Sequence, residues 1–132
     1  MADTVTQPEG PVVAQKGQHV FEMEKLDPFK LGPTYTDARG TAAKGDRMTV
    51  GLVRLPAGAV TELHHHPNEQ WMYIIQGTWH AEIEGKMYLA KAGSAVYIPS
   101  NLPHGGYAGP DSDLVFFTCK DNSWGIQGIK GA

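Results

Sequence analysis

Three consecutive histidines, His64, His65 and His66, are the residues of this sequence best suited to binding a metal ion. Successive side chains of a β-strand point to opposite faces, so His64 and His66 project together while His65 points away. Two imidazoles on one face can bind the same ion, and imidazole is a good ligand for Zn, Fe, Mn and Ni. The motif therefore predicts transition-metal chemistry, with open coordination positions that admit a substrate.

Two residues further along the chain extend this candidate site. Gln70 lies four residues beyond His66 at the start of the next predicted strand, so its amide oxygen can reach the same point. His104 follows the predicted strand 94–99 and brings a third imidazole just beyond the end of that strand. A metal site here would draw its ligands from separate segments of the chain.

Short β-type runs separated by Gly, Pro, Asp and Asn provide the elements that must position these residues. The chain has 16 glycines and 9 prolines among its 132 residues, a share well above the roughly 12 % typical of proteins. We expect many tight turns and few long helices, which excludes a helix bundle. The predicted strands are 19–24, a weak one near 34–38, 47–55, 59–66, 70–76, 78–84, 86–91, 94–99 and 114–120. Such spacing is typical of an all-β sandwich or barrel.

Length and charge limit the class of protein further. A chain of 132 residues fits one domain, with an N-terminal arm at 1–18 and a β-barrel at 19–132. The arm is either disordered or lies along a neighbouring subunit. The formal charge of -3, without any basic run, argues against nucleic acid as a partner. The sequence has no apolar run of roughly 20 residues and no signal-peptide layout, so we expect no membrane association and a cytoplasmic location.

Two motifs in register resemble those of the cupins, a superfamily of small jelly-roll β-barrels. The first, G-x5-H-x-H-x3,4-E-x6-G, is matched at every interval by Gly58, His64, His66, Gln70 and Gly77, with Gln70 at the glutamate position. The second, G-x5-P-x-G-x2-H-x3-N, aligns with Gly93, Pro99, Asn101, His104 and Ala108. The resemblance covers residues 47–119, with motif 1 at 58–77 and motif 2 at 93–108.

The resemblance implies an all-β, single-domain cupin jelly-roll barrel with little helix and one divalent transition metal inside it, Zn, Fe, Mn or Ni. The implied ligands are His64, His66, Gln70 and His104. A carboxamide at position 70 neutralises no metal charge, whereas a glutamate would, so the ion would be a stronger Lewis acid. Glu69 is the competing ligand, although strand alternation directs its side chain away from that of Gln70.

An inward-facing Gln70 also predicts which side chains surround the ion. The predicted pocket residues are Met48, Val50, Leu52, Met72, Ile74, Trp79, Phe116 and Cys119. No Arg or Lys is evidently placed to bind a substrate carboxylate, because Arg47, Arg54 and Lys91 lie at or near strand ends. We therefore expect a small, largely apolar or aromatic substrate rather than a strongly anionic sugar acid. Candidates for proton transfer are Tyr73, Glu69 and Tyr107, with water at the ion as the alternative.

The resemblance implies a metal-dependent enzyme with Lewis-acid chemistry of lyase, isomerase or cyclase type. Small cupins with this ligand set include uronate-processing proteins and hydroxynitrile lyases, and a related small cupin is a polyketide cyclase. The alternatives are a non-haem iron dioxygenase that cleaves a C–C bond and a non-catalytic binding protein. A homodimer is expected, because exposed strand edges and apolar residues such as Trp71, Tyr73 and Trp124 favour association.

Overall fold

Two β-sheets and one short 3₁₀ turn form the regular structure of residues 10–132, the part of the chain that the computed structural model describes. The strands are β1 (Val12–Val13), β2 (Phe29–Lys30), β3 (Arg39–Lys44), β4 (Met48–Leu55), β5 (Val60–His65), β6 (Gln70–Gln76), β7 (Thr78–Ile83), β8 (Lys86–Lys91), β9 (Ala95–Ile98), β10 (His104–Ala108), β11 (Leu114–Asp121) and β12 (Ile129–Lys130). The 3₁₀ turn spans Met23–Lys25, and these residues contain no α-helix. Across the same range, no helix has the length and apolar character needed to cross a bilayer.

The strands form a seven-stranded and a five-stranded sheet. The larger has the order β1-β3-β4-β11-β6-β9, with β2 also paired to β3, and the smaller has the order β12-β5-β10-β7-β8. The prediction of an all-β protein with little helix is confirmed. The barrel part of the predicted jelly-roll β-barrel is wrong, because no ladder of hydrogen bonds joins the edges of the two described sheets. The architecture is consistent with a jelly-roll sandwich.

Strict alternation along the central strands builds the core between the sheets. In β6, Met72 and Ile74 are buried, whereas Trp71 and Tyr73 are each 51 % exposed. Ile98 of β9 and Ala81 of β7 are completely buried in the same core. Each fully buried Ile contributes roughly 1.5–3 kcal/mol relative to an exposed one. A shift of one residue in register would turn Gln70 outward, so the hydrophobic pattern fixes the position of the site residues.

The predicted strands between 47 and 99 and the one at 114–120 are present, within a residue or two at their ends. The strand predicted at 19–24 is wrong: Val20 is 88 % exposed, and the segment runs into the 3₁₀ turn. Strands β3 and β10 were not predicted, because RGTAAK and HGGYA are rich in Gly and Ala, which have low β propensity. Tertiary pairing creates these strands despite their composition.

Both ends of the described chain lie on the sandwich. Within the predicted arm, Val12 and Val13 pair in parallel with Ala43 and Lys44 of β3, so this part of the arm extends the chain's own sheet. Residues 1–9 of the arm lie outside the described range. At the other end, Ile129 pairs with His65, and β12 thereby becomes an edge strand beside β5.

Candidate metal centre

Three histidines converge between the two sheets. His64 of β5 lies directly opposite His104 of β10 in the antiparallel register, and His66 follows the end of β5. Their candidate ligand atoms all lie within 4.8 Å of one another. The three side chains are almost completely buried, with exposures of 7 %, 2 % and 1 % for His64, His104 and His66.

The same local contact orients each imidazole. In all three, Nδ1 lies within hydrogen-bond distance of a backbone carbonyl two residues away. The acceptors are Glu62 for His64 (2.9 Å), Asn68 for His66 (2.7 Å) and Leu102 for His104 (2.8 Å). A carbonyl oxygen only accepts, so Nδ1 must carry the proton and donate it. Each neutral ring therefore presents the lone pair of Nε2, which is the arrangement found in metal-ligating histidines.

Burial keeps these imidazoles neutral. It lowers the pKa of His64 to about 4, and burial together with the neighbouring imidazoles lowers the pKa of His104 to about 3. The pKa of His66 is lowered by burial and then by the positive charge of Lys120. Ligating histidines must be unprotonated, so all three are ready to bind an ion at neutral pH.

The side chain of Gln70 turns its carbonyl toward the cluster. Its Nε2 donates to Thr118 Oγ1 at 2.8 Å, and the Thr118 hydroxyl donates in turn to the Trp71 carbonyl at 3.0 Å. These bonds direct Oε1 toward His66 Nε2, 3.1 Å away. Both atoms are acceptors when the ring is protonated on Nδ1. Two acceptors at this distance could be ligands of one cation, because ligands bound at about 2.1 Å lie roughly 3–3.5 Å apart in octahedral or tetrahedral geometry.

The residues present fit a divalent transition metal. His104 Nε2 is buried and has no hydrogen-bond partner within the described range, as expected of a ligand atom. Three imidazoles and a carboxamide are suitable, uncharged ligands for Zn, Fe, Mn or Ni. The competing ligand, Glu69, points outward, where its carboxylate accepts a hydrogen bond from the Tyr97 hydroxyl at 2.6 Å. Alternation along β6 separates it from the cluster.

The cluster opens into a cavity of about 70 Å³ between the sheets. Its walls are mostly apolar and include Met72, Trp79 and Phe116 from the predicted pocket set. Ile74, also in that set, lies completely buried in the core and does not line the cavity. The cavity is small, because its volume is only a few times the roughly 10–15 Å³ that a single water needs by the same measure.

Besides Ile74, four predicted pocket residues are wrong: Met48, Val50, Leu52 and Cys119 belong to the opposite face of their strands. In β4 the buried positions are the alternate ones, among them Val53 and Leu55, both of which line the cavity. Met48 is 52 % exposed as a result. In β11, Cys119 lies between the inward-facing Thr118 and Lys120.

The three residues predicted for proton transfer lie outside the cavity. Tyr73 and Tyr107 are 51 % and 41 % exposed, and Tyr107 stacks on His80 at a ring-centroid distance of 4.5 Å. Glu69 is engaged with Tyr97 on the outer face. The assignment was wrong because side chains alternate between the two faces of a strand. Glu69 and Tyr73 lie an odd number of residues from the inward-facing Gln70, and Tyr107 lies an odd number of residues from the inward-facing His104.

Sequence reasoning missed a buried lysine in the cavity wall. Lys120 of β11 lies opposite Gln70 of β6, lines the cavity and is 7 % exposed. The expectation that no Lys is placed near the site is therefore wrong. Phe116 was correctly predicted to face inward, and counting on by twos leads to Thr118 and Lys120. That signal was available in the sequence.

Tyr35 is a second missed residue, from the loop before β3. Its ring stacks on His64 with centroids 4.0 Å apart and 17° between the planes. Its hydroxyl accepts a hydrogen bond from the Gly128 backbone N–H at 2.7 Å, and burial raises its pKa. Tyr35 thus supports one ligand ring and forms part of the cavity wall.

The segment that begins at the last residue of β11, residues 121–128, closes over the site. Asn68 is completely buried, and its amide donates to three carbonyls of this segment, those of Asp121 (2.9 Å), Trp124 (3.3 Å) and Gly125 (3.2 Å). Ile126 lines the cavity. At Gly128 a Cβ atom would lie 2.9 Å from His64 Cδ2, so only glycine allows the chain to pass this close to the ligand.

A family model for the Cupin domain matches residues 51–119. The chain belongs to the cupin family. This match, the two-sheet fold and the buried histidine cluster confirm the resemblance deduced from the two motifs. Asn101, which stands where the second motif has glycine, has a φ of 63°, a conformation that Asn tolerates better than most residues.

Relatives of this cupin include enzymes. It is 31 % identical over 101 residues to the dimethylsulfoniopropionate lyase DddW of Ruegeria pomeroyi, a match covering 70 % of this chain and 66 % of DddW, just under two thirds. Its fold resembles the polyketide cyclase RemF from Streptomyces resistomycificus, with TM-score 0.74, 16 % identity and coverage of 87 % and 86 % of the two chains. It also resembles DddQ, a dimethylsulfoniopropionate lyase from Ruegeria pomeroyi, with TM-score 0.55, 23 % identity and coverage of 60 % and 41 %.

Proposed function

We propose that this cupin is a metal-dependent enzyme that uses Lewis-acid chemistry on a small organic molecule. Among the possible reaction classes we favour a lyase over an isomerase or a cyclase. One observation carries the proposal: three imidazole Nε2 atoms and the Gln70 carbonyl oxygen face one another without proton donors between them. A bound divalent ion would polarise an oxygen of the substrate and stabilise the negative charge that develops in the reaction.

The protein contributes orientation and exclusion of water. The Nδ1–H bonds to backbone carbonyls hold the three rings in place without using their Nε2 lone pairs. Met72, Trp79 and Phe116 provide apolar walls, which strengthen electrostatic interactions inside the cavity. Because Gln70 is neutral, the protein ligands do not reduce the charge available to polarise the substrate.

Tyr35 is the hydroxyl best placed to hold a substrate atom. Its oxygen accepts a hydrogen bond from the Gly128 N–H, and among the hydrogen bonds of the described chain its own O–H is not used as a donor. The O–H can therefore donate to an oxygen of a substrate in the cavity. Tyr35 replaces Tyr73 and Tyr107 as the tyrosine that supports the reaction.

The relatives and the cavity size support the lyase class over a polyketide cyclase. DddW shares more sequence with this chain than RemF does, and DddW is a lyase. The cavity of about 70 Å³ suits a compact molecule better than a fused polycyclic one. Dimethylsulfoniopropionate is therefore the first substrate to test. Its elimination would transfer a proton from the carbon next to the carboxylate to a base or water and break one C–S bond, giving dimethyl sulfide and acrylate.

The test is metal reconstitution under anaerobic conditions. Protein stripped with a chelator is reloaded with Zn, Mn, Fe or Ni, the metal is counted by elemental analysis, and volatile product from dimethylsulfoniopropionate is measured by gas chromatography. We expect one metal ion per chain and metal-dependent product without oxygen. Turnover that requires oxygen and iron would support the dioxygenase alternative instead, and a chain that binds no metal would support a non-catalytic binding protein.

Self-association and location stay predictions. Trp71 and Tyr73 are exposed on the outer face of the seven-stranded sheet, and Trp124 is 45 % exposed on the closing segment. The molecular mass in solution, measured by light scattering, tests the homodimer. Fractionation of the cells that produce the protein tests the cytoplasmic location.

A further inference from the structure

Lys120 is a cation in the wall of the cavity, and the chemistry proposed above does not use it. The side chain extends inward from β11, beside Gln70 and on the same face as Thr118. It is 7 % exposed, although lysine is almost never this deeply buried without a partner for its charge.

The ammonium group has more donors than the protein uses. Lysine offers three N–H donors, and among the hydrogen bonds of the described chain Nζ makes one, to the Ile126 carbonyl at 2.7 Å. The three ion pairs found in residues 10–132 join other, largely exposed side chains. Two N–H groups of Lys120 therefore remain for a ligand.

No acidic residue balances this charge inside the cavity. Apart from Lys120, the polar side chains of its lining are the neutral Tyr35, Thr36, Thr61, His64, Gln70, His104 and Thr118. Burial lowers the pKa of Lys120 to about 8, and an anionic ligand beside the ammonium group would raise it again. A divalent ion on the imidazoles would add more positive charge. Burying charge without a counter-charge is unfavourable, so the cavity calls for a negatively charged occupant.

We propose that Lys120 selects a substrate that carries a carboxylate, whose oxygens accept hydrogen bonds from the Lys120 ammonium and the Tyr35 hydroxyl. This inference rests on the proposed function and specifies its substrate class: a small organic acid with an apolar remainder. The apolar part packs against Met72, Trp79 and Phe116. The proposed substrate class replaces the expectation of a substrate without a strongly anionic group.

A purely structural role for Lys120 is the competing explanation, because its bond to Ile126 also ties down the closing segment. The two roles require different properties of the side chain. The structural bond needs an N–H donor, whereas selection of a carboxylate needs the positive charge. Lys120→Gln retains a donor and removes the charge, and Lys120→Met removes both. Lys91→Gln, on the exposed end of β8, is the matched control for the loss of one charge.

The experiment compares two small probes of the same shape, propionate and propionamide, by isothermal titration calorimetry. Each probe is titrated into metal-free and zinc-loaded protein for the wild type and the three variants. We expect the wild type and Lys91→Gln to prefer propionate in both forms. Lys120→Gln and Lys120→Met should bind propionate about tenfold more weakly or worse, the loss typical of a hydrogen bond to a charged group, while their affinity for propionamide changes less than about twofold.

The outcomes separate this inference from the proposed function. Propionate binding by Lys120→Gln equal to that of the wild type would overturn the role of the charge. Equal losses for both probes would overturn it as well and favour the structural role. If the wild type binds no zinc, the proposed function fails, while the metal-free titrations still decide whether Lys120 selects a carboxylate.

Discussion

The metal-ligand cluster and the segment that closes over it are held by opposite kinds of contact. Each ligand imidazole is oriented mainly by a carbonyl two residues away, although strand pairing brings His64 and His104 together. The closing segment depends on bonds between residues far apart in sequence, such as Asn68 to Trp124 and Tyr35 to Gly128. The difference implies that the cluster can stay formed when the closing segment is loosened, and the following predictions test this.

Removal of one ligand should have the largest effect. We expect His104→Ala to lose its metal and all turnover while the sandwich stays folded, because the two remaining imidazoles and Gln70 form an incomplete site. Elemental analysis and circular dichroism measure the two effects. His80→Ala, which alters a histidine stacked outside the cavity, is the control. Full metal content in His104→Ala would show that the assigned site is wrong.

Acid should destabilise the metal-free protein through the ligand cluster. The folded pKa of His64 is lowered by burial to about 4 and that of His104 to about 3, both from 6.5. The unfolded chain then binds more protons, so stability is fully present above pH 6.5 and is lost as the pH falls toward the folded values. His64 alone accounts for about 3 kcal/mol of the loss. Urea unfolding between pH 4 and 7 measures it, and a flat profile would contradict neutral, buried imidazoles.

Loosening the closing segment should have a smaller and more local effect. Asn68→Ala removes three hydrogen bonds to the closing segment and leaves their carbonyls without that donor, at a cost of about 2–3 kcal/mol. Hydrogen exchange should accelerate in residues 121–128, while metal content falls much less than in His104→Ala. Gln127→Ala, at an exposed position of the same segment, is the control. Equal metal loss in both variants would mean that the cluster depends on its cover.

A change of charge within the ligand set should have the smallest effect. Gln70→Glu is expected to bind the ion at least as well and to turn over about tenfold more slowly. The carboxylate makes the ion a weaker Lewis acid, and a tenfold slower rate corresponds to an activation barrier higher by about 1.4 kcal/mol. Steady-state rates with the metal content of each preparation measured alongside decide this. A faster Gln70→Glu enzyme would contradict the role assigned to the neutral amide.

The same contrast explains what the sequence could predict. His64, His66 and Gln70 were placed correctly relative to one another because strand alternation and motif spacing are local properties. Tyr35 and Ile126 could not be found in this way, since long-range contacts bring them to the cavity and no local pattern marks them. Lys120 is an intermediate case. Its inward direction follows from that of Phe116, four residues earlier on the same strand, but Cys119 was wrongly predicted to face the cavity as well.

The fold shows a similar division. Strands with clear alternation, such as Gln70–Gln76 and Thr78–Ile83, were predicted nearly to the residue. Arg39–Lys44 and His104–Ala108 have low β propensity of their own, and each pairs with other strands on both sides. Whether the strands close into a barrel or form two sheets depends on how the edge strands pair, and no single segment of the sequence determines that pairing.

The positions of the three tryptophans provide an optical probe of the cavity. Trp71 and Trp124 are about half exposed, at 51 % and 45 %, and Trp79 is 4 % exposed in the cavity wall. Iodide in the buffer should quench the emission of the exposed pair and leave the emission of Trp79. Binding of cobalt to the histidine cluster should then quench the remaining, blue-shifted emission of Trp79, so that occupancy of the metal site can be followed in real time without labelling the protein.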